Sequence, residues 1–361
     1  MANTNAAPKR VDIGGQAVME GVMMKSPDAI AIAVRRPDGS IVVTRKDYVP
    51  LSKKHKWMGY PFIRGAVNMA TMLSSGMSTL EESTKMLGVM DEEPTKFEKW
   101  LSEKLGKGID KIVMGVAIVL AVALSVGLFI AIPAGAETLL KNAGMGPLGY
   151  TLLGGILKIA ILIGYMAFCG MVPDVRRTFQ YHGAEHKTVY CHEHELLLTP
   201  ENAQQFTTLH PRCGTAFLLI VFTISILLFL VLNVLLPISN YFLRLGFHLL
   251  MLPIVAGVSY EVLKGLAHSE SKAAKILRWP GLQMQRLTTR QPDAGMLECA
   301  IVAMNVALHG MPEGYPVNAD GYTVMKTYQD SRPEDYPDYV REEEPAAPAE
   351  DLSEDDGEAN G

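Results

Sequence analysis

Long stretches without a charged residue dominate the hydrophobic pattern of this chain. Residues 112–136 contain no Asp, Glu, Lys or Arg, and neither do residues 213–243. A helix needs about 20 apolar residues to cross the hydrocarbon core of a bilayer, so the pattern predicts membrane spans. Four are expected, at residues 112–134, 150–172, 215–237 and 242–263. Backbone groups must be paired within lipid, so these spans should be helices, and the short connections at 135–149 and 238–241 should make two hairpins.

The segments outside the spans show two other periods. Two β-branched runs, IAIAVRR and IVVTRK, flank a PDGS turn and predict a β-hairpin. From 61 to 90, Met and Leu recur at helical spacing, which predicts an amphipathic helix on the membrane or packed under the spans. The charged stretch 91–111 is expected to form a short interfacial helix. A PDAG turn followed by apolar residues predicts a further helix at about 294–308.

The fold class that follows is mainly α: a polytopic membrane protein with four transmembrane helices, a small N-terminal β-hairpin and interfacial helices. Changes in composition along the chain divide it into seven segments. They are an N-terminal segment with the hairpin (1–60), amphipathic or interfacial helices (61–111), a first transmembrane hairpin (112–172), a His-rich loop (173–214), a second transmembrane hairpin (215–263), a C-terminal region (264–329) and an acidic tail (330–361).

Composition supports a membrane protein and suggests its orientation. The chain is 48% hydrophobic with a mean hydropathy of +0.15, which is unusual for a water-soluble protein of 361 residues. Residues 1–111 hold 17 Lys or Arg and residues 264–361 hold nine, whereas the 135–149 connection holds one. The positive-inside rule therefore predicts a multi-pass protein of the cell membrane with both termini and the His-rich loop in the cytoplasm.

Charge is distributed unevenly along the chain. Residues 330–361 carry 13 Asp or Glu against two Arg, and we expect this tail to be disordered. The rest of the chain is net positive, which suits an anionic lipid surface. Nucleic acid is disfavoured as a partner, because the basic residues are not interleaved with aromatics and no DNA-binding motif occurs. The four cysteines form no C-x-x-C pair, so a disulfide framework is not expected.

Histidines are concentrated between the second and third spans. Residues 182–210 contain five of the nine in the chain. His182 and His186 are four residues apart, which places both rings on one helix face, and Glu185 lies beside them. H-x-x-E-H is the reverse of the zinc-protease motif, in which two histidines bind Zn²⁺ and the glutamate takes a proton from water. Simple hydrogen bonding of these histidines to headgroups and backbone is the alternative.

A second motif, LHPRCGT, follows the first. His210 and Cys213 are separated by two residues, a spacing that lets both reach one ion. The predicted metal set is therefore His182, His186, His210 and Cys213. If all four bind, the site would be closed and structural. If one does not, a position opens for catalysis, with Glu185 as the catalytic base.

Several further residues are weaker candidates. Glu261, at the end of the fourth span, is a candidate carboxylate ligand, with a pair to Lys264 as the alternative, and Glu20 is a further candidate for the same site. The run CHEH contains Cys191, His192 and His194, for which we expect solvated or supporting roles. Three arginines could contact lipid phosphates or act as positive-inside anchors; they are Arg64, Arg286 and Arg290.

Four motifs together resemble a known family. GGQAVMEGVMM (14–24), YHGAEHK (181–187), LHPRCGT (209–215) and LQMQRLTTRQPD (282–293) occur in the order found in the bacterial YqhQ-like family of uncharacterised membrane proteins, which are described as predicted metal-dependent enzymes. The resemblance extends over about residues 11–308. It implies a multi-spanning protein of the cell membrane and places the five metal and base candidates within family motifs. It implies neither a substrate nor an identified metal.

Three functions are consistent with these patterns. The first is a zinc-dependent hydrolase at the cytoplasmic membrane face, acting on a membrane protein, a peptide or a lipid-linked substrate. The second is a non-catalytic membrane scaffold or assembly factor, in which a metal or histidine cluster holds the loop to the spans. The third is transport through Lys158, His248 and Glu261, which four spans without an inverted repeat support poorly unless the protein forms an oligomer.

Overall fold

The computed structural model describes residues 13–88, 109–236, 238, 240–267, 269 and 271–332. The predicted interfacial helix at 91–111 and the acidic tail at 330–361 lie almost wholly outside these residues. Within them the chain is mainly helical, with one small antiparallel sheet.

The sheet is a five-stranded antiparallel meander in which each strand pairs with the next one in sequence. The predicted hairpin is confirmed as β3 and β4, with Arg35 paired to Ile41 around the PDGS turn. GGQAVMEGVMM forms a second hairpin that the hydrophobic pattern did not indicate. The strands are β1 (Gly14–Val18), β2 (Gly21–Lys25), β3 (Ala29–Arg35), β4 (Ile41–Asp47) and β5 (Thr323–Met325).

The helices divide into a bundle and a group that covers the sheet. Short 3₁₀ turns occupy Lys56–Gly59 and Tyr328–Ser331. The helices are α1 (Leu51–Lys54), α2 (Ile63–Leu87), α3 (Ile109–Val126), α4 (Ile132–Asn142), α5 (Pro147–Cys169), α6 (Pro173–Glu193), α7 (Pro200–Gln204), α8 (Gly214–Leu235), α9 (Tyr241–Ala267), α10 (Lys272–Thr288) and α11 (Ala294–His309). The amphipathic helix predicted at 61–90 is α2.

Both faces of the sheet are buried, which explains the nearly continuous apolar runs of its central strands. On β3, Ala31 and Ala33 face α6 and α11, whereas Ile32 and Val34 face the end of α2. Side chains alternate across a strand, so a strand covered on both sides must be apolar at successive positions. The sheet thus forms the middle layer of a small extramembrane module.

Helix α11 is the centre of that module. It was predicted at 294–308, and the structure confirms it at Ala294–His309. The side chain of Asp293 caps its first turn by accepting a hydrogen bond from the Met296 amide at 2.8 Å. Its residues from Met296 to Ala307 are almost all buried against the sheet and α6. The helix is therefore a core element, which its apolar composition on all sides requires.

Four helices have the length and hydropathy of membrane spans among the described residues. They cover Gly115–Asn142, Pro147–Cys169, Leu218–Leu235 and Tyr241–Leu266. These helices make the chain a polytopic membrane protein, as predicted. Pro253 lies within the fourth span without ending it.

The first span differs from its predicted limits. A π-helical turn at Gly127–Ala131 joins α3 to α4, and the helix continues to Asn142 instead of ending at 134. The expected 135–149 connection is consequently mostly helical. The charge-free stretch ends before Glu137, but the side chain of this residue is buried within the bundle, 3.6 Å from the guanidinium of Arg244. A paired charge can lie inside a span, so the charge did not mark its boundary.

Candidate metal centre

Helix α6 carries the H-x-x-E-H motif directly after the second span. Pro173 and Asp174 in its first turn favour helix initiation, because proline fits the first position and an acid complements the helix dipole. The ring centroids of His182 and His186 lie 4.4 Å apart, as two residues one turn apart should. The two rings therefore lie on one face of the helix, as predicted.

Backbone carbonyls orient both imidazoles. His182 Nδ1 donates to the Thr288 carbonyl at 2.9 Å, and His186 Nδ1 donates to the Thr208 carbonyl. With the proton on Nδ1, each ring presents an unprotonated Nε2, which is the atom that can bind a metal. The two carbonyls thus act as the outer support that metal-binding histidines normally have.

Cys213 meets these two nitrogens. Its Sγ lies 3.2 Å from His182 Nε2, and the three ligand atoms of His182, His186 and Cys213 all lie within 4.8 Å of one another. Small side-chain rotations would bring three atoms so spaced to the bond lengths of about 2.0–2.3 Å that zinc requires. His186 Nε2 is buried and has no hydrogen-bond partner within the described part of the chain. A buried nitrogen that makes no hydrogen bond, beside a thiol and a second imidazole, fits a metal ion.

His210, the fourth predicted ligand, lies beside His186, with ring centroids 5.6 Å apart, but it is not one of the three grouped ligand atoms. Its Nε2 contacts Glu193 Oε1 at 3.1 Å, and its Nδ1 accepts a hydrogen bond from the Arg212 amide at 3.3 Å. Burial raises the pKa of Glu193, but hydrogen bonds and charge from His210 and Arg212 outweigh it and lower the pKa overall. Both ring nitrogens of His210 thus have polar partners, and the side chain links the end of α6 to the segment before α8.

Glu185 lies beside His186, one of the three candidate ligands. Its side chain is buried, and Oε2 lies 3.4 Å from His186 Nε2. It packs against β1, where a Cβ on Gly15 would come within 2.6 Å of its Cγ. The second glycine of GGQAVMEGVMM therefore provides the space for this carboxylate. The two motifs, far apart in sequence, form one site.

Gln285 is a supporting residue that the sequence pattern did not reveal. Its side-chain amide donates to the His210 carbonyl at 2.8 Å and accepts from the His210 amide at 2.7 Å. The residue is fully buried, so both polar ends are satisfied by one backbone position. The LQMQRLTTRQPD motif thus holds LHPRCGT through Gln285 and holds His182 through the Thr288 carbonyl. Only the presence of a polar residue among buried neighbours could have indicated this role.

Gly183 allows α6 to approach the same motif. A Cβ at this position would lie 2.1 Å from the Arg290 carbonyl oxygen, a backbone atom that cannot move aside cheaply. We expect Gly183→Ala to destabilise the protein by about 3 kcal/mol, at the upper end of overpacking costs. Thermal unfolding in detergent would measure the loss. Gly164→Ala is the matched control, since a Cβ there meets nothing within 4 Å, and equal melting temperatures for the two variants would contradict the prediction.

The two additional carboxylates lie elsewhere. Glu20 accepts hydrogen bonds from Arg177, one of them at 2.5 Å, and from the Tyr181 hydroxyl at 3.3 Å. Glu261 is held by Arg64, whose Nε and Nη2 lie 2.7 and 2.5 Å from its two oxygens. Neither residue is grouped with the histidines. Arg64 therefore ties α2 to the fourth span.

The CHEH run also points away from the metal group. Burial raises the pKa of the Cys191 thiol to about 12, and its Sγ faces the Leu197 carbonyl at 3.5 Å. His194 is exposed and bonds the Tyr190 carbonyl at 2.8 Å. Burial lowers the pKa of the His309 imidazole, and the nearby His192 lowers it further.

Arg286 and Arg290, two of the arginines considered as lipid contacts, line a shallow depression together with Thr208.

The fold and these residues define a class of protein: a four-span membrane protein with a His, His, Cys group on an extramembrane module. Residues 60–310 match the family model described as "Protein of unknown function (DUF1385)". The chain belongs to this family. It is 34% identical over 303 residues to the uncharacterized protein YqhQ of Bacillus subtilis (strain 168). The aligned stretch covers 82% of the chain and 92% of the relative. The resemblance to the YqhQ-like family is confirmed. No solved structure matches the chain.

Proposed function

We propose that the protein is a zinc-dependent hydrolase of the membrane surface, with His182, His186 and Cys213 as metal ligands and Glu185 as the general base. The observation that carries the proposal is the pair of Nδ1 hydrogen bonds to backbone carbonyls, which direct both Nε2 atoms towards the Cys213 sulfur. Three protein ligands leave a fourth tetrahedral position open, as in catalytic zinc sites.

The arrangement assigns a role to each residue. A bound zinc ion would supply Lewis acidity, which makes water a nucleophile near neutral pH and polarises a carbonyl or phosphoryl group. Glu185 would accept one proton of the attacking water, whose hydroxide adds to the substrate, and would pass that proton to the leaving group. Its position next to His186 brings the carboxylate to the edge of the ligand group. Burial against Gly15 restricts its movement.

The position of the site favours a substrate in the membrane. Cys213 directly precedes α8, which contains the third span, and α6 follows the second span after a short turn. A site at the ends of two spans lies near the headgroups, where a membrane peptide or a lipid-linked group would be presented. The excess of Lys and Arg in the segments on this side favours the cytoplasmic face of the cell membrane.

A structural site is the competing proposal. The ligands join α6 to the start of α8, and the carbonyl that holds His182 belongs to the end of α10. A metal here would tie three elements together in a non-catalytic scaffold, as structural zinc sites do. The two proposals differ in whether a coordination position is open.

Cobalt substitution distinguishes them. Detergent-purified full-length protein loaded with Co²⁺ should show thiolate-to-cobalt charge-transfer absorption that Cys213→Ser removes and Glu185→Gln retains. Adding acetohydroxamate, a small chelating anion, should change the cobalt bands if a position is open. A spectrum unaffected by acetohydroxamate would indicate a closed structural site and would overturn the hydrolase proposal. The absence of any thiolate band would exclude Cys213 as a ligand.

A further inference from the structure

A second group of polar side chains lies inside the four-helix bundle, between the middle of the second span and the end of the bundle remote from Cys213. Among the described residues of the spans, the buried charged side chains are Glu137, Lys158 and Arg244, with 4%, 7% and 2% of their surface exposed. Glu137 and Arg244 lie near the end of the first span and the start of the fourth. Cys213, by contrast, precedes the third span. This polar centre is therefore separate from the candidate metal site.

The polar centre connects all four spans. The Arg244 Nη2 donates to Asn233 at 2.8 Å, and the Asn233 amide donates to Thr151 at 2.9 Å. The guanidinium lies 5.1 Å from the ring centroid of Tyr150 and 3.6 Å from Glu137. The side chains come from α4, α5, α8 and α9, so the bundle is assembled around them.

The charges and donors of this centre do not balance. Two cationic side chains, Lys158 and Arg244, and one acid, Glu137, are buried within the spans. Within the described part of the chain, three donors and one acceptor of this centre are buried without a hydrogen-bond partner: Arg244 Nε and Nη1, the Tyr150 hydroxyl and Glu137 Oε2. Lys158 has the Phe229 ring 5.9 Å away but no carboxylate of the described residues within 4.0 Å. Buried charges and donors inside a membrane are costly unless they are paired.

We propose that this centre binds one oxyanion, a phosphate or carboxylate group, between Lys158, Tyr150 and Arg244. One negative group would balance the excess positive charge and accept the unpaired hydrogen bonds of the guanidinium and the phenol. Arginine donors in fixed geometry suit oxyanions because a guanidinium can bond two oxygens at once. The anion could arrive as a soluble ion or as the headgroup of an anionic lipid, since both present the same oxygens.

Ligand-dependent thermal unfolding of the full-length protein tests this site. In detergent, inorganic phosphate should raise the melting temperature more than potassium chloride at the same ionic strength. In nanodiscs, phosphatidylglycerol should raise it relative to phosphatidylcholine alone. A response to phosphate indicates a soluble oxyanion and a response to phosphatidylglycerol indicates a lipid headgroup, and either supports the proposal.

Variants of Lys158 make the test specific. Lys158→Met keeps the aliphatic stem and removes the charge, so the midpoint concentration of the effective anion should rise about tenfold, as for the loss of one charge-assisted hydrogen bond. Lys158→Arg should restore the response. Lys272→Met, at an exposed lysine that begins α10 outside the spans, should leave it unchanged. The proposal is overturned if neither anion stabilises the wild type, or if Lys158→Met responds as the wild type does.

Discussion

His182→Ala is expected to remove one equivalent of zinc from the purified protein. The variant loses the imidazole whose Nε2 lies 3.2 Å from the Cys213 sulfur, and the two remaining ligands cannot close a tetrahedral site. Removing a residue that only supports a ligand lowers metal affinity by about 10–100-fold, so removing a ligand itself should lower the affinity by more. Elemental analysis of the detergent-purified full-length chain, after dialysis against a weak chelator, measures the change.

Two further variants show whether the loss is specific. Cys213→Ala should lose zinc to the same extent, because both residues would bind the same ion. His194→Ala is the matched control: this histidine ends the same helix, but it is exposed and bonds only a backbone carbonyl in the structure. Circular dichroism would establish that each variant is folded. Equal zinc in the wild type and in a folded His182→Ala protein would exclude the proposed site.

Glu185→Gln should separate metal binding from catalysis. The amide has nearly the same shape as the carboxylate, and the three ligands are untouched, so zinc content should stay at the wild-type level. A glutamine cannot accept the proton of water, and the loss of a general base typically lowers turnover by about 10²–10⁴-fold. Hydrolysis of a fluorogenic peptide and of a fluorogenic lipid ester in nanodiscs would provide the comparison.

The pattern of effects identifies the role of this residue. Under the scaffold proposal, Glu185→Gln would change neither zinc content nor stability. Under the hydrolase proposal, the variant keeps its zinc and its melting temperature but loses turnover. Wild-type turnover in a zinc-loaded Glu185→Gln protein would rule out its role as the base.

The sequence predicted the elements whose pattern has a single interpretation. The β3 and β4 hairpin, the amphipathic α2, the four spans and α11 follow from hydrophobic period or from long apolar runs, and each is confirmed. The GGQAVMEGVMM hairpin did not stand out, because β2 is buried on both faces and its GVMM run does not alternate. The end of the first span was misplaced because Glu137 is paired with a residue more than 100 positions away.

The metal centre was predictable to the level of residue type and no further. Helical spacing placed His182 and His186 on one face. The short spacing between His210 and Cys213 suggested a thiol ligand, but only the structure shows that Cys213 lies beside His182 and His186. Spacing did not indicate that the ring nitrogens of His210 would contact Glu193 and the Arg212 amide, and its role as a ligand stays a prediction. The supports from Thr208 and Thr288 act through backbone carbonyls, and any residue type provides a carbonyl. Such contacts leave no mark in the sequence.

The order of strands in the sheet constrains how the chain is made. Strands β1 to β4 precede the first span, whereas β5 and α11 follow the last, yet β5 pairs with β4 and α11 packs under β2 and β3. The two ends of the chain must therefore emerge on the same side of the bilayer. During synthesis, the first four strands are made before α11, so one face of the sheet stays uncovered until all four spans have been made. A chaperone that binds this uncovered apolar face would reduce aggregation of the unfinished chain.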